Sequence, residues 1–171
     1  MTTAVYELDV QMSQTAANGD DDKPLYELLC EARELEVEVE QRMEAAKSCR
    51  DKCDHRIEQV RMAVESNLFI DFDVDVAAAI RRIGATVRAH HDLLARQLER
   101  ARKLASQCDD ALCLHDAAER LGERDHQKSY EDELTGHLEE LRTIHRWNRA
   151  LADTLCNHNL DQLSLFERLR R

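Results

Sequence analysis

The sequence predicts an all-α fold: an elongated antiparallel three-helix bundle built on a coiled-coil hairpin, with a short C-terminal helix. Three observations predict it. Glycine and proline together number five in 171 residues, too few for the tight turns of a sandwich, a barrel or a doubly wound sheet. Ala, Leu, Arg, Glu and Lys supply 84 residues, the composition of long helices. Apolar residues also return at alternating steps of three and four, the period of a helical seam.

Residues 1–22 are polar and lack that period, so they read as a flexible acidic tail. Within it Tyr6, Leu8, Val10 and Met12 alternate with polar residues, a pattern suited to adding as a strand to another protein. Asp20-Asp21-Asp22-Lys23-Pro24 marks a helix start, since acids and proline are favoured where the first N–H groups lack partners. The bundle is expected over 23–157. Its first helix runs at about 23–66, with a seam through Leu25, Leu28, Ala32, Leu35, Val39, Met43, Ala46, Cys49, Cys53, Ile57, Val60 and Val64.

Between 66 and 76 the period changes to two, with Ile70, Phe72, Val74 and Val76 set against Asp71, Asp73 and Asp75. That suits an extended link whose acids cap the next helix. As a calcium loop it fails, because Val76 stands where glycine is needed and Arg82 where glutamate is needed. The second helix is expected at about 75–121, with a seam of Ile80, Ile83, Val87, His91, Leu94, Leu98, Ala101, Ala105, Cys108, Leu112 and His115. The polar stretch 122–128 reads as a loop. Ser129-x-x-Asp132 resembles a capping box and opens a third helix at about 130–157, carrying Leu134, Leu138, Leu141, Ile144, Trp147, Leu151 and Leu155. Asn157-His158-Asn159 looks like a stop, and 158–171 like a separate amphipathic tail.

The formal charge is −11, of which residues 1–40 carry −9. Such a chain lacks the clustered Lys and Arg that neutralise phosphates, so nucleic acid and anionic membrane surfaces are not expected partners. A basic or helical protein partner, or a second copy of the chain, is. No apolar run is long enough to span a membrane. The first residues lack the basic and apolar regions of a signal peptide, so a cytoplasmic or nuclear location with reduced cysteines is expected.

No glycine loop for phosphates and no nucleophile elbow occurs, and a thin bundle offers no deep pocket to desolvate a reaction. The chain therefore reads as non-enzymatic and cofactor-free: a helical scaffold or adaptor subunit. The alternative is a zinc-binding or redox-responsive regulator. Cys49 and Cys53 lie one turn apart on one helix face. If facing residues of the first two helices sum to about 141, and of the last two to about 251, Cys49 and Cys53 approach His91 and Cys156. Those four are the candidate metal ligands. The candidate partner surface is the hinge half of the hairpin, with Ile80, Ile83 and Val87 below Phe69 and Phe72. Two helices alone do not enclose such a seam, which predicts an exposed apolar patch there.

Overall fold

The computed structural model describes residues 23–66, 74–159, 161, 162 and 164, with backbone alone for 63, 64 and 74–77. The tail over 1–22, the link over 67–73 with Phe69 and Phe72, and 165–171 lie outside the described residues. Three helices pack against one another: α1 (Leu25–Glu65), α2 (Val74–Leu121) and α3 (Arg124–Asp153). Among the described residues there is no strand. The Pro24 carbonyl accepts the first bonds of α1, from the N–H groups of Glu27 (2.9 Å) and Leu28 (3.3 Å). In α1, Ala32, Val39, Ala46, Cys53 and Val60 recur every seven residues and are all buried, as a seam requires.

Pairing is antiparallel between α1 and α2. Arg33 pairs with Asp109, Glu40 with Arg102, and Arg50 with His91, each pair summing to 141 or 142, the expected register. Between α2 and α3 the register differs from expectation. Gln97 faces Asn148, Cys108 faces Leu134, and His115 faces Glu131, with sums of 242–246 in place of about 251. The cause is the α2–α3 connection. Gly122 adopts φ +71°, the left-handed conformation that glycine reaches without strain. Its N–H bonds the Glu119 carbonyl (3.1 Å), and the Glu123 N–H bonds the Ala118 carbonyl (2.9 Å), the paired bonds of a Schellman cap. Gln127 already donates to the Glu123 carbonyl (3.0 Å). The loop predicted over 122–128 therefore shrinks to two residues, and α3 begins six residues earlier than predicted.

At its far end α3 does not stop at Asn157-His158-Asn159. It runs into a π-helical turn, Thr154–His158, and residues 159, 161, 162 and 164 are helical. The predicted boundary at 157 falls away because Asn159 occupies a seam position. The buried residues Leu138, Leu141, Asn148, Ala152, Leu155 and Asn159 keep the three–four rhythm with half-buried His145 between. Trp147, expected in that seam, is 64% exposed, and its neighbour Asn148 is fully buried instead. Asn148 stays in the core by donating from Nδ2 to Gln97 Oε1 (3.2 Å).

The helices resolve into two compact units. The first comprises the described residues up to Glu34 with Leu104–Leu141. Its buried side chains include Leu28 and Ala32, then Leu104, Cys108, Ala111 and Ala118, then Leu134, Leu138 and Leu141. Burial pushes the Cys108 thiol up to about 11 from an ordinary 9.0. Its folded form holds a proton that the unfolded chain has lost, so its contribution is intact below about pH 9 and is lost as pH rises towards 11. Replacing Cys108 with Ala is expected to flatten the fall in melting temperature across that interval. Parallel alkaline melting curves for the two proteins would reject this.

The second unit comprises the described residues of Leu35–Lys103 and those from Arg142 onward. One cluster joins Ala46, Leu94, Ala152 and Leu155, with Met43, Cys49, Leu151 and Cys156 packed against it. Another joins Cys53, Ile83 and Val87, with Ile57 against it. Here α1 and α2 approach closely: a Cβ on Gly84 would stand 3.2 Å from Ile57 Cδ1.

Candidate functional site: a thiol and imidazole region of the second unit

Cys49 and Cys53 lie on one face of α1 because four residues make about one turn. The π-helical turn brings Cys156 against the same core cluster that Cys49 packs on, close enough for the Cys49 thiol to bear on its titration. Cys53 is near enough to act on Cys156 electrostatically. Burial, then the Cys49 thiol, pushes the Cys156 thiol up to about 12. Burial likewise raises the Cys53 thiol, with Cys49 and Asp54 adding to the rise. Cys49 and Cys156 are half-buried, Cys53 is buried, and all six cysteines of the chain are free thiols.

The sequence-predicted set of Cys49, Cys53, His91 and Cys156 is thus only partly assembled. The thiols converge, but His91 turns to the Arg50 guanidinium, 3.5 Å from Nδ1 and 3.4 Å from Nε2. No three of the four bring ligand atoms within 4.8 Å of one another. Among the described residues His115, Asp116 and Glu119 of the first unit do so. There the two carboxylates are exposed and His115 also reaches Glu131 (3.2 Å). The signal for this group was the i, i+1, i+4 placement of the three residues on one helix.

The predicted hinge patch is corrected. Ile80, Ile83 and Val87 are buried rather than exposed. The missing third wall is the continuation of α3: His158, Asn159 and Gln162 lie across Ala79, Ile83 and His90, and Ser164 accepts from Arg56 (2.9 Å). Phe69 and Phe72, named for the tip of that patch, lie outside the described residues.

A second polar constellation of this unit went unnoticed in the sequence. His145 of α3 contacts the Glu38 carboxylate of α1 through Nε2. Arg42 donates to the same carboxylate oxygen (3.0 Å) and to the His145 carbonyl (3.3 Å). The His145 hydrogen bond, with help from the His145 and Arg42 charges, holds the Glu38 carboxyl below its ordinary 4.5. A depressed carboxylate stabilises the fold above the unfolded-state value, and that contribution disappears as pH falls through the folded value. Wild type is therefore expected to melt above Glu38→Gln at neutral pH, with the gap closing below about pH 4.5. A gap that persists unchanged to pH 3, about 1.5 units below the ordinary carboxylate value, would refute this role.

What the thiols can do is form a bond to one another or hold a soft ion. What the surface offers is an apolar strip on α3. Ile144, Trp147 and Leu151 follow one another at i, i+3 and i+7, the first and last half-buried and the tryptophan outermost. Among the described residues no helix is long and apolar enough to cross a membrane. Against family models, curated proteins and solved structures, the chain matches none.

Proposed function

We propose that the chain is a non-enzymatic scaffold or adaptor that binds a helical protein partner along α3. The carrying observation is the exposure of Trp147, the single tryptophan of the sequence. Large aromatic side chains left in water cost free energy that a partner recovers, and tryptophan is one of the residues enriched among the energetic anchors of interfaces. Ile144 and Leu151 flank it at helical spacing, which suits an amphipathic partner helix laid alongside. The test places a photo-crosslinking amino acid at position 147 and, as control, at the exposed Lys47, in the full-length protein in native extract. One protein species should crosslink at 147 and not at 47, and Trp147→Ala should lose it with melting temperature unchanged. Equal labelling from both positions, or none from either, removes this reading.

A second reading, a redox-responsive helical regulator, is favoured by the placement of Cys49 and Cys156 against one core cluster. Two thiols and one molecule of a hydroperoxide yield one disulfide with water and an alcohol, or two waters from hydrogen peroxide. Mass mapping after peroxide treatment should find Cys49 joined to Cys156 within the monomer. Oxidation confined to the exposed Cys113 would sink this alternative.

A further inference from the structure

A groove of about 490 Å³ opens between α2 and the helical end of α3 in the second unit. Its polar lining is unusual in sign. Arg82, Thr86, His90, His158, Asn159 and Gln162 line it, and among the described residues no carboxylate does. Asn159 is 2% exposed, yet its Nδ2 makes no hydrogen bond. The Nδ1 atom of His90 is also buried without a partner. A buried amide donor without an acceptor loses its water and gains nothing in return, so such groups are rare unless something else supplies the acceptor. His158 Nε2 lies 3.0 Å from the Gln162 amide nitrogen. With the amide donating to Nε2, the remaining imidazole proton sits on Nδ1. The groove thus presents a guanidinium, an orphan amide N–H group and two imidazoles. Ala79 and Ile83 add an apolar wall.

We propose that this groove binds a small organic oxyanion. The anionic head takes the Asn159 amide and the Arg82 guanidinium, with the imidazoles beside it, and the apolar body lies on Ala79 and Ile83. The volume is in the range of small-molecule sites and larger than a bare inorganic ion needs. Guanidinium and amide donors suit both carboxylate and phosphate oxygens. The shared chemistry is therefore the oxyanion, and the head group is for the experiment to separate.

The experiment titrates the full-length protein with phenyl phosphate, benzoate and inorganic phosphate, followed by calorimetry and by chemical shifts of the Asn159 amide. Saturable binding of phenyl phosphate or benzoate, tighter than inorganic phosphate, supports the site, and the stronger of the two identifies the head group. Asn159→Leu should weaken that binding by about tenfold or more, with melting temperature unchanged or raised, because the donor it removes has no partner in the fold. A merely structural Asn159 would instead lower the melting temperature. Should Asn159→Leu fail to fold, Arg82→Gln, at an exposed position, is expected to weaken binding on its own. The proposal is overturned if neither organic anion saturates by about 10 mM, if binding is indifferent to both substitutions, or if water alone occupies the Asn159 donor.

Discussion

Leu94→Ala is expected to lower the unfolding free energy by about 3 kcal/mol, the central cost of a buried leucine truncation. Leu94 is fully buried in a cluster whose other buried members are Ala46, Ala152 and Leu155, with the half-buried Met43 and Leu151 at its margin. Two of the three buried neighbours are alanines, with no rotamer freedom to close the space, so the cavity should persist. Leu93, the preceding residue, is 40% exposed, and its truncation should cost less than about 0.5 kcal/mol. Urea denaturation of both variants checks the pair, with unchanged m-values as the condition for reading midpoints as stability. Equal losses from Leu93→Ala and Leu94→Ala would mean that α2 presents a different face to the core.

Asn148→Asp should cost about 3 kcal/mol at neutral pH, although it changes one NH₂ to an oxygen. Asn148 is fully buried, its Nδ2 donates to Gln97, and its Oδ1 has no partner. A carboxylate there would be an unpaired charge that only a flipped Gln97 amide could meet. Its folded value would rise above that of the unfolded chain. The loss should therefore shrink as pH falls towards about 4 and grow as pH rises above it. Thermal melts of the variant from pH 4 to 7, set against the same melts of wild type, test the sign. A pH-independent loss would place residue 148 in contact with water.

The long helices were legible because their signal is redundant. In α1 one row of the seam, Ala32, Val39, Ala46, Cys53 and Val60, returns every seven positions, and burial follows it throughout. The α1–α2 register was legible too, since a link centred near 70 fixes it. Trp147 misled because hydrophobicity and period disagree there: the rhythm leads through His145 and Asn148, while the apolar residues lead through Ile144, Trp147 and Leu151. Packing followed the rhythm, since Asn148 finds Gln97 across the core. The α2–α3 register was missed because one glycine cap replaced a seven-residue loop. The thiol cluster was partly legible, because the i, i+4 spacing of Cys49 and Cys53 is local. The orientation of His91 was not, because it depends on Arg50 of the facing helix. The orphan donor of Asn159 leaves no mark in sequence, since satisfaction of a polar atom is a property of its surroundings.

The two-residue link at Gly122 also sets an order of events in time. Contacts between α2 and α3 in the first unit span as few as 16 residues, between His115 and Glu131, and 26 between Cys108 and Leu134. Contacts between α1 and α3 in the second unit span 103 residues at Arg42–His145 and 108 at Arg56–Ser164. Closing a short chain segment loses less entropy than closing a long one, and proteins with local contacts fold faster. Within the first unit, where the α1–α2 pair Arg33–Asp109 lies far apart in the chain, the hairpin around Gly122 should therefore form first, with α1 docking on it afterwards. Leu134→Ala is expected to slow folding, whereas Ala32→Gly, on α1 of the same unit, should act mainly by speeding unfolding. Stopped-flow chevrons of the two variants would show opposite limbs moving, and the reverse assignment would place the nucleus in α1.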